Sequence, residues 1–146
     1  MIKKLLVTTD FSDLSTEVIA QAADIAQAFK AEVFVMYVIP PAPVYSGSEI
    51  SPPVILDYSA EEWHREQHDL DSIVDFLKKK GINASNVLVS GPIASTIYDK
   101  AIQLKVDLVV VGAHSHGFLY RAFIGSVSEG LLKDPPCPIM VIPGGR

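Results

Sequence analysis

Short apolar runs alternate with amphipathic stretches along this chain. Five runs are bounded by turn-forming or polar residues, and most of them are continuous rather than alternating. Strands that are buried on both faces of a parallel sheet carry continuous apolar runs, so this pattern favours buried parallel strands. The runs lie at residues 5–7, 33–39, 87–89, 108–111 and 139–142, of which 87–89 is the weakest.

Amphipathic stretches with helical spacing separate these runs. Three of them repeat apolar residues every three or four positions, which predicts helices with one buried face. Ser12 or Asp13 can cap the first helix, and Gly81 can end the second. Pro92 fits the first turn of the third helix. The predicted buried faces are Val18, Ala22, Ile25, Ala26 and Phe29; Trp63, Leu70, Val74 and Leu77; and Ile93, Ile97, Ala101 and Leu104.

A fourth helix is predicted to begin at Ser126, because Ser126-Val-Ser-Glu129 has the spacing of a capping box. Three prolines between residues 135 and 138 then end this helix and precede the last strand. Five strands and four helices in this order predict an α/β fold, since right-handed crossovers produce an open, doubly wound parallel sheet of the Rossmann-like kind. We therefore expect residues 1–146 to form a single domain.

A proline-rich segment interrupts the alternation after the second strand. Residues 40–53 contain five of the ten prolines, which neither extend a strand nor begin a regular helix. We interpret residues 40–58 as a flexible loop on the carboxyl side of the sheet, where ligands bind in folds of this kind. The alternative interpretation is a mobile surface insertion without a ligand.

Composition and charge exclude several classes of protein. Of 146 residues, 49% are hydrophobic and 20% charged, which suits a packed domain rather than a disordered chain. Twelve Lys and Arg against seventeen Asp and Glu give a net charge of −5, which argues against nucleic-acid binding. A single cysteine, Cys137, allows no intramolecular disulfide, and we interpret it as a small core residue. No apolar run is long enough for a membrane span or a secretory signal, so we expect a soluble cytoplasmic protein.

Candidate ligand-binding residues follow the first, second and fourth strands, because the carboxyl ends of parallel strands form the binding crevice of an open sheet. Thr8, Thr9 and Asp10 follow the first strand. Val38 lies at the end of the second strand, and Gly112 follows the fourth. We interpret Asp10 as a ligand contact; the alternative is that its carboxylate accepts main-chain amides in the turn before the first helix.

The segment after the fourth strand has the features of a phosphate site. It runs through Gly112, Gly117 and Gly125 to the start of the fourth predicted helix, and glycines allow a positive φ or a close approach of a ligand. Free amides at a helix start, together with the helix dipole, bind phosphate without a lysine. Between residues 108 and 128 the only formal charge is Arg121. His114 and His116 can add partial positive charge beside a phosphate; the alternative is that they are exposed loop residues without a ligand. The P-loop motif G-x-x-x-x-G-K-[ST] and a G-x-G-x-x-G motif after the first strand are both absent.

Residues 112–129 resemble the nucleotide-binding signature of the universal stress protein family. That signature is Gly, two residues, Gly, nine residues, then Gly and Ser or Thr; here these positions are Gly112, Ser115, Gly125 and Ser126. Residues 5–12 and 137–143 resemble the first and last strands of the family, so the resemblance covers nearly the whole chain. The second glycine is replaced by Ser115, which costs about 1–2 kcal/mol if the position needs a positive φ.

The resemblance implies that ATP, or another adenine nucleotide such as AMP, binds in this crevice. No general base is evident beside the phosphate loop, so we expect little or no hydrolysis and do not expect an enzyme. Mg²⁺ would accompany the phosphates of ATP. By the resemblance, Asp10 would contact the ribose or the adenine, and Val38 would offer main-chain groups to the adenine. The phosphates would lie at the start of the fourth helix. The full predicted set is Thr8, Thr9, Asp10, Val38, Val111, Gly112, His114, Ser115, His116, Gly117, Gly125, Ser126 and Val127.

The resemblance also implies the fold of the adenine nucleotide α-hydrolase-like group and a homodimer formed through the last strand. An edge strand with free main-chain groups is a suitable surface for such pairing. The residues that would form the dimer contact are Pro138, Ile139, Met140, Val141 and Ile142.

Two other functions are weighed against this one. Ser115 favours a family member that has lost nucleotide binding and acts as a dimeric protein-interaction module. Nucleotidyl transfer is a third hypothesis, but it needs a histidine-bearing phosphate motif after the first strand, and residues 8–12 contain no histidine. His64 and His68 are four residues apart on a predicted helix, and without a third ligand we interpret them as a solvated helix face rather than a zinc site.

Overall fold

The computed structural model describes residues 1–39, 60–113 and 132–143. Within these residues the chain forms a five-stranded parallel sheet with three helices. The strands are β1 (Lys4–Thr8), β2 (Glu32–Ile39), β3 (Ala84–Ser90), β4 (Leu108–Ala113) and β5 (Ile139–Pro143), and the helices are α1 (Asp13–Phe29), α2 (Ala60–Lys79) and α3 (Ile93–Leu104). The predicted α/β, Rossmann-like class is therefore confirmed.

The strand order is β3-β2-β1-β4-β5, so the chain winds outward from β1 in one direction and then in the other. The two neighbours of β1 are thus β2 and β4, and both pair with it in parallel. The winding reverses between β1 and β4, and open α/β sheets bind ligands beyond the carboxyl ends of the strands at this reversal. The topology therefore locates the candidate site at the end of β1.

Both faces of the sheet are covered, which explains the continuous apolar runs of the central strands. Leu5 and Val7 of β1 face α1 and α2, whereas Leu6, between them, faces α3. All of residues 108–111 in β4 are buried. The helices thus form two layers, with α1 and α2 on one side of the sheet and α3 on the other.

The predicted buried face of α1 is confirmed in its central turns. Val18, Ala22 and Ala26 are buried against the sheet. Phe29 is instead largely exposed, because it is the last residue of the helix and the chain turns away at Lys30 with a left-handed φ of 56°. The N-cap is Ser12, one of the two predicted residues, although its side chain makes no capping hydrogen bond.

The prediction for α2 is wrong at Trp63, which is 36% exposed. Residues 60–65 are all exposed, so the first turns of this helix make little contact with the described core. Burial of the predicted face begins at Leu70 and continues through Val74 and Leu77. The chain leaves α2 through Gly81, which has a φ of 80° that glycine adopts without strain.

The third helix begins close to its predicted start. Pro92 is the N-cap of α3 in an extended conformation, one residue before the predicted first turn. The predicted fourth helix begins at Ser126, which lies outside the described residues, as does the predicted loop at residues 40–58. Leu132 and Lys133, near the expected end of that helix, are helical.

An aspartate connects β1 and β4 at the end of the sheet opposite the candidate site. The main-chain N–H groups of Lys3 and Lys4 donate to the Asp107 carboxylate at 2.8 and 3.0 Å. These two amide donors, Lys3 first, hold the pKa of Asp107 below its ordinary value. The side chain of Asp107 therefore holds the start of β1 more strongly when it is ionised.

The Asp107→Asn substitution is expected to destabilise the protein more at pH 7 than at pH 3. Because the folded-state pKa lies below the unfolded one, the carboxylate stabilises the fold above the ordinary carboxyl pKa of about 4, and this contribution is lost as the pH falls through the lowered value. Urea unfolding of both proteins at the two pH values measures the effect, with the exposed acid Asp75 changed to Asn as a control. An equal difference at both pH values would contradict the assignment to charge.

Candidate functional site

The carboxyl ends of β1, β2 and β4 meet at one edge of the sheet. Thr8, the last residue of β1, pairs with Met36, and Val7 pairs with Val110 on the other side. Strand β2 continues to Ile39, so Val38 lies two residues beyond Met36, the last residue of β2 that pairs with β1. The structure therefore brings the described candidate residues after the first, second and fourth strands to one edge.

Thr8 carries the one buried side-chain polar atom without a hydrogen-bond partner in the described part of the chain. Thr8 is 2% exposed, and its Oγ1 has no hydrogen-bond donor or acceptor among the described residues. Because paired residues of parallel strands share a face, Thr8 lies on the side of Met36, which packs against α3. A buried hydroxyl without a partner costs free energy, so Thr8 offers a hydrogen-bonding group that a bound molecule can satisfy.

Thr9 has a different environment from Thr8 although it is the next residue. Its side chain is buried, and its Oγ1 accepts a hydrogen bond from the N–H of Phe11 at 3.1 Å. Its own N–H donates to the carbonyl of Met36. Thr9 also lines a groove between α1 and α2, on the opposite side of the sheet from α3. Of the two adjacent threonines, Thr9 is therefore hydrogen-bonded within the turn, whereas the hydroxyl of Thr8 has no partner among the described residues.

Asp10 organises the turn between β1 and α1. Its Oδ1 accepts hydrogen bonds from the N–H of Ser12 at 3.0 Å and from the hydroxyl of Ser15 at 2.7 Å. This is the turn-forming role weighed as the alternative for this residue. Contact with a ligand stays a prediction, and a carboxylate fixed from two sides is already oriented for one.

Phe11 is a feature of this turn that the sequence analysis missed. Its φ is 61°, a left-handed conformation that costs a residue with a side chain about 1–2 kcal/mol. Its ring packs against Tyr37 of β2, with the ring centres 4.8 Å apart. No sequence pattern marks a phenylalanine for this conformation, which here accompanies the hydrogen bond from its own N–H to Thr9.

Gly112 lies where α1 packs closely against the sheet. It lies within β4, opposite Ile142, and its backbone is not in the left-handed region. A Cβ atom at this position would lie 3.0 Å from Cγ2 of Val18 and 3.1 Å from Cδ2 of Leu14. The close approach of α1 therefore favours glycine at this position without a positive φ, and contact of Gly112 with a ligand stays a prediction.

The described residues account for six of the predicted site positions. Thr8, Val38, Val111 and Gly112 are buried at the edge, and Asp10 and Thr9 form the adjoining turn. The predicted phosphate-binding residues, His114, Ser115, His116, Gly117, Gly125, Ser126 and Val127, lie outside the described residues.

Other candidate chemistry is weak in the part of the chain that the structure describes. No group of three or more His, Cys, Asp or Glu side chains there could hold a metal ion. His64 and His68 therefore have no third ligand among the described residues. Cys137 packs against the α3 side of the core, and desolvation is the main cause that raises the pKa of its thiol. Among the described helices none has the length and apolar character needed to cross a membrane.

Comparison with known proteins gives a consistent family match. The sequence model described as the universal stress protein family matches residues 1–143. A universal stress protein of Methanocaldococcus jannaschii is 33% identical over 141 residues, covering 96% of this chain and 81% of that protein.

Solved structures of the same fold include several with nucleotides. UspA from Lactobacillus plantarum superposes with a TM-score of 0.75 at 24% identity, covering 97% of both chains. A universal stress protein in complex with cAMP gives a TM-score of 0.68 at 22% identity, again covering 97% of both chains. Two further structures of this fold, from Archaeoglobus fulgidus and Arabidopsis thaliana, contain dAMP and AMP.

Proposed function

The chain belongs to the universal stress protein family, and on this basis we propose that it binds ATP or another adenine nucleotide at the carboxyl edge of its sheet. The observation that carries the proposal is the buried, unpartnered hydroxyl of Thr8 at the reversal point between β1 and β4. The cAMP, dAMP and AMP found in structures of similar fold support the adenine nucleotide as the ligand class.

Each part of the nucleotide has residues that suit it. The main chain of Val38, beyond the last β1 ladder pair, is suited to the adenine. Asp10, held by Ser12 and Ser15, is suited to the ribose hydroxyls. The sequence from Gly125 to Val127 is suited to the phosphates at a helix start, and Mg²⁺ would accompany ATP.

The proposed activity is binding rather than turnover. Residues 108–128 contain no Asp or Glu, so the segment expected to surround the phosphates supplies no carboxylate as a general base. We expect little or no hydrolysis, and we propose that the protein acts as a cytoplasmic stress-response module whose state depends on the bound nucleotide.

Equilibrium titration of the full chain with ATP, AMP and cAMP tests this proposal. Saturable binding of at least one of the three is expected, with a stoichiometry of one nucleotide per chain. The Ser115→Gly variant distinguishes the proposal from loss of binding, because it restores the glycine of the signature. If the folded wild-type protein binds none of the three and Ser115→Gly binds ATP, the nucleotide proposal fails for this chain and the interaction-module hypothesis is favoured.

The interaction-module hypothesis has its own structural observation. Strand β5 is at the edge of the sheet, and Met140 and Val141 are 37% and 45% exposed on it. Apolar side chains on an edge strand favour pairing with another strand. We propose that two copies of the chain pair through β5, whether or not a nucleotide is bound.

The Val141→Lys substitution is expected to weaken this dimer about tenfold or more, because an ammonium group would be desolvated in the contact. Analytical ultracentrifugation over a range of protein concentrations measures the dimer dissociation constant. The matched control is Ile102→Lys on α3, since Ile102 is 52% exposed and lies away from β5. A dimer unaffected by Val141→Lys, or a monomeric wild-type protein, would contradict the β5 contact.

A further inference from the structure

A groove of about 550 Å³ lies between α1 and α2, on the face of the sheet opposite α3. Its volume is within the range of about 300–1,000 Å³ that is usual for small-molecule sites. The β1–α1 turn closes one part of it through Thr9 and Phe11. The groove and the proposed nucleotide edge thus share a turn, but they lie on different sides of the sheet.

One stripe of α2 supplies both an apolar and a charged part of this groove. Asp69, Ser72, Ile73 and Phe76 line it, at positions i, i+3, i+4 and i+7 of the helix. These positions extend along about 10 Å of the helix axis, since each residue rises 1.5 Å. A ligand along this stripe would therefore meet a carboxylate at one end and an aromatic ring at the other.

Asp69 is the only ionisable side chain among the described residues that line the groove. It is half-buried, and it makes no hydrogen bond or ion pair with any residue that the structure describes. Two of the other polar groups already donate hydrogen bonds: the hydroxyl of Ser72 to the carbonyl of His68, and that of Ser15 to Asp10. A half-buried carboxylate without a partner favours a cationic ligand group.

The charge of the two helices around the groove also favours a positively charged ligand. Helix α1 carries three acidic residues and no basic one. Helix α2 carries six acidic and three basic residues. The two helices that form the groove therefore carry a formal charge of −6, against −5 for the whole chain, which would attract a cation and repel an anion.

The apolar part of the groove favours a ring or a short hydrocarbon chain. Ile19 of α1 is buried, and Ile73 and Phe76 of α2 are partly exposed to the groove. The Nζ of Lys80 lies 5.0 Å from the centre of the Phe76 ring, so one cation already occupies that ring. The cationic group of a ligand would accordingly go to Asp69 and its apolar group to the two isoleucines.

We propose that this groove binds a small organic cation with an apolar ring, of the arylalkylammonium class. The ammonium group donates to the Asp69 carboxylate, and the ring packs between Ile19 and Ile73. The site is separate from the nucleotide edge, because none of its ligand-contacting residues lies on the α3 side of the sheet.

Three probes of similar size test the proposal by isoleucine methyl NMR: 2-phenylethylammonium, neutral 2-phenylethanol and anionic 3-phenylpropanoate. The cation is expected to shift the Ile19 and Ile73 methyl signals saturably and to leave Ile102, exposed on α3, unchanged. The neutral probe should bind at least several-fold more weakly, and the anion should not bind.

The matched variants are Asp69→Asn and Asp75→Asn, which remove the same charge from α2 inside and outside the groove. Asp69→Asn should weaken binding of the cation about tenfold, as expected for loss of a charge-assisted hydrogen bond, and Asp75→Asn less than about twofold. Circular dichroism establishes that both variants fold. The proposal is overturned if the two groove isoleucines do not respond, if the neutral probe binds as tightly as the cation, or if both variants weaken binding equally.

Discussion

The Thr8→Val variant is expected to be more stable than the wild-type protein without nucleotide, and to bind nucleotide more weakly. Valine has nearly the shape of threonine, and it removes a buried hydroxyl that has no partner in the described chain. Loss of that unmet hydrogen-bonding group should raise the free energy of unfolding by about 1 kcal/mol. Loss of a hydrogen bond to the nucleotide should raise the dissociation constant about tenfold.

This experiment is specific because the substitution is expected to raise stability and to lower nucleotide affinity. Thr9→Val is the matched control, because its hydroxyl accepts the N–H of Phe11 and its loss should lower stability. Urea unfolding without ligand and titration with ATP measure the two quantities for each variant. If Thr8→Val is destabilised like Thr9→Val, the Thr8 hydroxyl is already satisfied in the free protein and does not mark the ligand edge.

The Gly112→Val variant should lower the free energy of unfolding by about 1–3 kcal/mol, the usual range for overpacking of a core. The Cβ atom alone would lie 3.0 Å from Val18 and 3.1 Å from Leu14, and the methyl groups of valine would add further contacts. Helix α1 would have to move away from β4. That movement would displace the turn that carries Asp10, so nucleotide affinity should fall as well.

Two further variants separate this packing effect from strand propensity. Gly112→Ala adds only the Cβ atom and should have a smaller effect. Ser85→Val adds a valine at an exposed position of the edge strand β3, where little change in stability is expected. Urea unfolding of the three variants provides the comparison. Equal stability of Gly112→Val and wild type would show that α1 does not require glycine in β4.

The fold was predictable because the signals for strands and helices are local. Residues 108–111 read as a strand buried on both faces, and α1 and α3 do cover the two sides of it. The error at Trp63 shows the limit of this approach. Helical spacing indicates which residues share a face, but only tertiary packing decides how far along the helix that face is covered.

The sequence predicted where the site lies in the sheet, but not which side chains are available to a ligand. The strand ends gave the edge of the sheet, but Thr8 and Thr9 are adjacent and equivalent in sequence. Their division between an unpartnered position and a hydrogen-bonded turn depends on the register with Met36 and on the conformation of Phe11. The close contact of α1 at Gly112 is likewise tertiary, and so is the groove that α1 and α2 form around Asp69.

Crystals of the full chain grown with saturating ATP test the central claim most directly. The account predicts difference density for adenine beside the main chain of Val38, with a ligand atom within about 3 Å of Thr8 Oγ1. It also predicts phosphate density toward the sequence from Gly125 to Val127. Nucleotide density confined to the groove beside Asp69, or none at any site, would contradict it.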